Sequence, residues 1–208
     1  SYSLLISLLI IMPCAAGFIS LAQPIFNLLY PNAPDGWQLL QLSSIALIFI
    51  ALNQTISGSL QGIGKIFAPA TGLLIGCVAK FLLNTILIRQ PSINIYGAPL
   101  GSIFCQIISF TYGYTVLSRN IPVSFSFGKY ILKPVGCSAV MGVAAFLIYR
   151  LLRGITASNT ISIFVSILAA VVIYFALILL TKTLNREEIE MLPAGDKLYR
   201  FLAKHHLA

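Results

Sequence analysis

The sequence predicts an all-α integral membrane protein of six transmembrane helices. Apolar residues make up 58% of the 208-residue chain and charged residues only 9%, with a mean hydropathy of +0.94. A soluble domain of that length cannot bury so much apolar surface. The apolar residues fall into six runs, each long enough to cross a hydrocarbon core of about 30 Å. The basic residues stand between these runs, near their ends and at the end of the chain, with Lys80, in mid-run, as the exception.

The first span is Leu4–Leu29. Pro13 lies inside it, removes one helical hydrogen bond and predicts a kink. A proline-rich turn, Tyr30-Pro31-Asn32-Ala33-Pro34-Asp35-Gly36, leads to the second span, Trp37–Leu60. The later half of that span carries Asn53, Gln54, Ser57 and Gly58, followed by Gln61. The glycine-rich turn Gln61-Gly62-Ile63-Gly64-Lys65 precedes the third span, Phe67–Ile88. Arg89-Gln90-Pro91-Ser92 ends it, because the residue before a proline is pushed out of helical geometry.

The fourth span, Ile95–Leu117, carries Ala98, Ser102, Gln106, Ser109 and Gly113. In hydrocarbon such polar groups need partners, so these faces are expected to turn inward. A polar loop runs from Arg119 to Lys129. The last two spans, Ile131–Leu152 and Ile161–Thr181, hold little that is polar beyond Ser138, Ser162 and Ser166. They read as lipid-facing or packing helices, and Ser158-Asn159-Thr160 supplies N-cap chemistry before the sixth. The chain thus divides into a transmembrane region, 1–181, and a charged tail, 182–208. A short amphipathic helix is expected from Asp196, with Leu198, Phe201 and Leu202 on one face and Lys197, Arg200 and Lys204 away from it.

Charge sets the expected orientation. One set of connections, with the tail, holds nine basic residues: Lys65, Arg119, Lys129, Lys133, Lys182, Arg186, Lys197, Arg200 and Lys204. The opposite side holds three, Arg89, Arg150 and Arg153. The bias places the C-terminus in the cytoplasm, and an even number of spans places Ser1 there too. The net charge of +8 does not indicate nucleic acid, because no basic stripe or stacking platform accompanies it.

Cys14, Cys77, Cys105 and Cys137 lie in separate apolar runs and read as small packing residues at helix interfaces, without disulfide or metal use. Ser1 to Leu29 lacks the basic start and short core of a signal peptide. The chain opens without Met, directly at a span, and is expected to be part of a longer protein. Nothing supports an enzyme or a cofactor: no carboxylate lies in a span, neither histidine does, and no nucleotide-binding glycine loop occurs.

Lys80 is the most informative residue. The midpoint of Phe67–Ile88 falls at Cys77–Val78, which puts Lys80 about 4 Å from the bilayer midplane at about 1.5 Å per residue. A charge there costs about 2.5–3.5 kcal/mol on insertion scales, so it faces a bundle interior or an aqueous cavity. Two readings stand: a cation lining a transport cavity, and a structural lysine bonded to carbonyls of a neighbouring helix. Gly72, Gly76, Lys80 and Asn84 recur every four residues and share a helix face. The glycines admit a close helix neighbour, and Asn84 lies within hydrogen-bonding reach of Lys80. Asn53, Gln54 and Gln106 are further cavity candidates, with interhelical hydrogen bonding as the equal alternative.

The run Asn53-Gln54-Thr55-Ile56-Ser57-Gly58-Ser59-Leu60-Gln61-Gly62-Ile63-Gly64-Lys65 resembles a segment of the stage V sporulation protein B group. Lys80-Phe81-Leu82-Leu83-Asn84, Ile93-Asn94-Ile95-Tyr96-Gly97-Ala98 and Leu192-Pro193-Ala194-Gly195-Asp196-Lys197-Leu198 resemble it likewise. That group belongs to the polysaccharide-exporter and lipid II flippase branch of the multidrug/oligosaccharidyl-lipid/polysaccharide exporter superfamily. The resemblance implies a fold of about fourteen helices in two pseudo-symmetric lobes, of which these six would be the last, the N-terminal lobe lying outside the chain.

It also implies movement of a lipid-linked saccharide, such as a peptidoglycan precursor, across the bacterial cytoplasmic membrane, for the cell wall or spore envelope. Lys80 and Asn84 would draw the anionic pyrophosphate of that substrate. A cation-coupled drug exporter of the same fold and a non-transporting scaffold for envelope assembly are the alternatives.

Overall fold

The structure, a computed structural model, describes residues 2–31, 36–90, 94–121, 132–156 and 158–181. The expected tail helix and most of the Arg119–Lys129 loop lie outside the described residues. Those described form seven α-helices: α1 (Tyr2–Ser20), α2 (Ala22–Leu29), α3 (Trp37–Gly62), α4 (Phe67–Leu87), α5 (Gly97–Asn120), α6 (Lys133–Ile155) and α7 (Asn159–Leu180), with one 3-10 turn at Asn94–Tyr96 before α5. All but α2 are long and apolar enough to cross a membrane. The all-α membrane architecture of six spans is thus the one observed.

The first span differs from expectation. It ends at Ser20, and Ala22–Leu29 is a separate short helix. Pro24 is the cause. It has no N–H for the Ser20 carbonyl, and in a continuous helix its ring would press on that carbonyl. Placed third in α2, it occupies the first turn, where N–H groups have no helical partner anyway. Leu21 absorbs the break at φ −105° and ψ 15°. The Ile19 carbonyl beside it accepts from Gln41 Nε2 of α3 at 2.8 Å, and Ser20 Oγ folds back onto the Gly17 carbonyl at 3.2 Å.

Pro13, by contrast, leaves α1 helical. Its missing N–H would have served the Leu9 carbonyl four residues earlier. The hydroxyl of Tyr174, on α7, donates to that carbonyl instead, at 2.7 Å and fully within the core. A proline in one span and a tyrosine in another are therefore two halves of one hydrogen-bonding solution.

The helices pack in the neighbour order α4, α5, α3, α1, α6, α7, with α2 laid against α3 and α7. The central α1 buries two faces. Leu4 joins Ile56, Leu60 and Leu117 between α1, α3 and α5. Leu5 and Leu9 join Cys137, Met141, Ala145, Ala170 and Tyr174 between α1, α6 and α7. Ser162 and Ser166 are buried on α7 and donate back to the carbonyls of Ser158 and Ser162, which satisfies them without a neighbouring helix. Another face of α7 exposes Phe164, Leu168, Val172 and Phe175, as a lipid-contacting helix does.

Helix α3 closes in a Schellman motif. Gly64 adopts φ +79°, Gly64 N–H donates to the Gln61 carbonyl at 3.0 Å, and Lys65 N–H donates to the Leu60 carbonyl at 2.9 Å. On α5 the buried stripe is Gly97, Gly101, Cys105, Ser109, Gly113 and Leu117. Ala98 is exposed and Ser102 half-buried, so the inward face lies one position away from the one expected from Ala98 and Ser102. The smallest side chains won the interface because they let α3 and α4 approach. Of the cysteines, Cys105 and Cys137 are buried at interfaces as expected, whereas Cys14 and Cys77 are exposed. Position 77 follows Gly76 by one residue and so points off the seam that Gly76 makes.

Candidate functional site

The four-residue stripe of α4 lies against α5. A Cβ at Gly72 would stand 2.9 Å from Tyr112 Cδ1 and 3.3 Å from the Ser109 carbonyl oxygen. At Gly76 it would stand 2.6 Å from the Cys105 carbonyl oxygen, closer than real Cβ atoms come. Further along the seam Gly101 of α5 takes over the role of the small residue. A Cβ there would lie 3.4 Å from Lys80 Cγ and overlap the Asn84 amide. Lys80 therefore lays its aliphatic stem across Gly101 and is half-buried, as is Asn84.

Lys80 lies seven positions before Leu87 at the end of α4, about 10 Å of helix. Among the described residues its ammonium forms no hydrogen bond or ion pair, and the hydrogen bond expected from Asn84 is not made. Asn84 Oδ1 is buried without a partner. The chain's five acidic residues, Asp35, Glu187, Glu188, Glu190 and Asp196, all lie outside the spans, so no intramembrane carboxylate balances Lys80.

The other candidates divide between two places. Asn53 Nδ2, on α3, donates to Gln106 Oε1 at 2.8 Å and to the Gln106 carbonyl at 2.9 Å. These two residues tie α3 to α5. Gln54 is exposed, not inward as expected, and it lines an open pocket of about 530 Å³ with Ser3, Ser7, Thr55, Gly58 and Ser59. Ser7 and Thr55 share a hydrogen bond of 2.7 Å across that pocket. Gly58 and Gln61 are also exposed. Thus Lys80, Asn84 and the Asn53–Gln106 pair are gathered along α5, while Gln54 opens beside α1.

Sequence reasoning missed the Tyr174 hydroxyl, although a proline in one span is a signal that a carbonyl four residues earlier needs an outside donor. It also missed a cavity of about 370 Å³ between α1, α6 and α7, lined by Leu9, Pro13, Phe18, Met141, Val171 and Phe175 among others. The lining is apolar and continuous with the lipid-facing surface of α7.

Seven packed helices with six apolar spans define a multi-pass helical membrane protein. No family model matches the chain, and no solved structure matches it. It is similar to two proteins of Bacillus subtilis (strain 168). One is the uncharacterized membrane protein YabM, 28% identical over 199 residues, which are 91% of this chain and 36% of that protein. The other is the lipid II flippase MurJ, 30% identical over 142 residues, which are 66% of this chain and 26% of that protein. The matched part of the chain spans about a third of the first relative's length and about a quarter of the second's. The two similarities support a flippase-like membrane family.

Proposed function

We propose that this chain is the C-terminal portion of a flippase that moves a lipid-linked saccharide across the cytoplasmic membrane, and that Lys80 attracts the phosphate of its substrate. The observation that carries this reading is an intramembrane ammonium without a counter-charge. Among the described residues Lys80 has no ion-pair partner, and no carboxylate lies in any span of this chain. A charge held at that cost without a partner suits an anion that arrives from outside. The similarity to a lipid II flippase supplies the chemical class.

A lipid-linked pyrophosphate fits a hydrated point charge, and its hydrocarbon chain stays in the bilayer beside the apolar surfaces. Such a cycle is binding and alternation between two openings, the work of a transporter and not of an enzyme. A cation-coupled drug exporter would call for an intramembrane carboxylate, which none of the spans supplies. The nine-to-three distribution of basic residues supports a cytoplasmic C-terminus.

Lys80→Ala tests the assignment in cells that depend on the full-length protein. Complementation is expected to be lost while membrane abundance stays near normal, because removing the charge also removes its insertion cost. Lys80→Arg is expected to retain part of the activity, with the charge kept and the donor geometry altered. Full activity with alanine, or activity lost only in proportion to protein level, rejects the phosphate role.

A further inference from the structure

A second pocket, of about 390 Å³, opens at the end of the bundle where α1 breaks into α2 and where α3 begins. Its walls are Ser20, Gln23, Pro24, Asn27, Trp37, Gln41, Phe146 and Tyr149. We propose that this pocket is a binding site for a neutral saccharide. Three features of the lining point to that chemistry.

The first is charge. None of the lining residues is ionisable at neutral pH, so the pocket has no feature that selects a phosphate or a carboxylate. The second is the aromatic wall. Trp37, Phe146 and Tyr149 come from α3 and α6, and a pyranose presents a flat C–H face that stacks on such rings. The third is hydrogen-bonding capacity in the same lining. Gln23 and Asn27 stand four residues apart on one face of α2, and among the described residues neither side chain has a partner.

The other polar groups are half-engaged. Gln41 spends its Nε2 on the Ile19 carbonyl and keeps Oε1 as an acceptor. Tyr149 donates its hydroxyl proton to Asn159 Oδ1 at 2.8 Å, and Asn159 Nδ2 reaches the Pro24 carbonyl at 3.4 Å. The lining therefore offers both donors and acceptors together with three aromatic rings, which suits hydroxyl and acetamido groups around a sugar ring. The pocket owes its existence to Pro24. Without that break α1 would continue straight, and Gln23 and Asn27 would not join the α3 and α6 residues that line the pocket.

An aromatic belt that merely anchors the protein at the membrane surface is the rival explanation for Trp37 and Tyr149. It makes no use of the unpartnered amides. Trp37 is the only tryptophan of the chain, so its emission reports on this pocket alone.

The test places the 208-residue chain in nanodiscs and titrates it with N,N′-diacetylchitobiose, with cellobiose and glycerol in parallel. The expected result is a saturable change in Trp37 emission with the two disaccharides, stronger for the N-acetylated one, and none with glycerol. Gln23→Ala combined with Asn27→Ala is expected to weaken the interaction about tenfold or more, the scale set by one or two lost hydrogen bonds. Both positions are exposed, and unchanged helicity by circular dichroism shows that the variant is folded. If the double variant loses helicity, each single variant carries the same comparison.

No saturable change, or a change undiminished by loss of the amides, overturns the proposal and leaves the belt. The pocket is distinct from the Lys80 seam, and the assay contains no transport step. Failure of the flippase reading and failure of this one are thus separately visible.

Discussion

Replacing Tyr174 by Phe removes one oxygen from the centre of the bundle and leaves the ring in place. The predicted cost comes from the atom left behind. The Leu9 carbonyl has no helical donor, because the residue four positions on is Pro13, and its 2.7 Å bond from Tyr174 is its replacement. Tyr174 is 4% exposed and packs with Leu9, Met141 and Ala170, and the cavity beside them is apolar and opens on the lipid-facing side, so it offers the carbonyl no replacement donor. A buried carbonyl left unsatisfied costs about 1–3 kcal/mol, and hydrogen bonds measured inside membrane bundles average about 0.6 with a maximum near 1.7. The two scales overlap at about 1–1.7 kcal/mol, close to tenfold in the unfolding equilibrium.

The mechanism makes a sharper demand than the magnitude. Pro13→Ala restores an N–H that reaches the Leu9 carbonyl along the helix. In that background Tyr174→Phe is expected to cost a few tenths of a kcal/mol at most, giving a coupling close to the whole single-mutant effect. Reversible unfolding of the four variants in mixed micelles measures this cycle. An equal cost for Tyr174→Phe with and without Pro13 would refute the reasoning.

Four further outcomes follow from the packing and the charge pattern. Gly76→Leu forces a Cβ to within 2.6 Å of the Cys105 carbonyl oxygen, so α4 and α5 must part and thermal stability should fall by about 1–3 kcal/mol. Gly58→Ala, with nothing within 4 Å of the new carbon, should be neutral or stabilise by up to about 1 kcal/mol in the same assay. Asn53→Ala strands the Gln106 side-chain oxygen at membrane depth and is expected to destabilise by about 0.6–1.7 kcal/mol, whereas the flanking Gln54→Ala, on an open face, should leave unfolding unchanged. Cysteines introduced at Asn32 and Ser92 should react with an impermeant thiol reagent added outside intact cells, and cysteines at Gly64 and Ser124 should be protected; the reverse pattern inverts the proposed orientation.

The number of spans was legible in the sequence because the bilayer imposes a one-dimensional requirement. A run of about 20 apolar residues satisfies it regardless of neighbours, and five of the six runs appear within a few residues of their expected bounds. Lys80 was legible for the same reason, since a charge in such a run is conspicuous alone. So was the Gly72–Gly76 pair, which states only that something comes close.

What comes close was not legible. Polar residues at four-residue spacing mark a face, but α5 has two adjacent faces of small and polar residues. Only the approach of α3 and α4 decided that Gly97, Gly101 and Cys105 are covered while Ala98 is not. The first span looked continuous because the run around Pro24 is mostly apolar, and hydropathy does not register a lost N–H. The pairing of Pro13 with Tyr174 joins positions 161 residues apart in number (174 − 13), and no local rule connects them. Composition along the chain therefore determined which segments enter the membrane. The contacts between segments decided which polar groups are satisfied there, like the Leu9 carbonyl, and which are not, like Asn84 Oδ1, because hydrogen bonds at membrane depth have no water to fall back on.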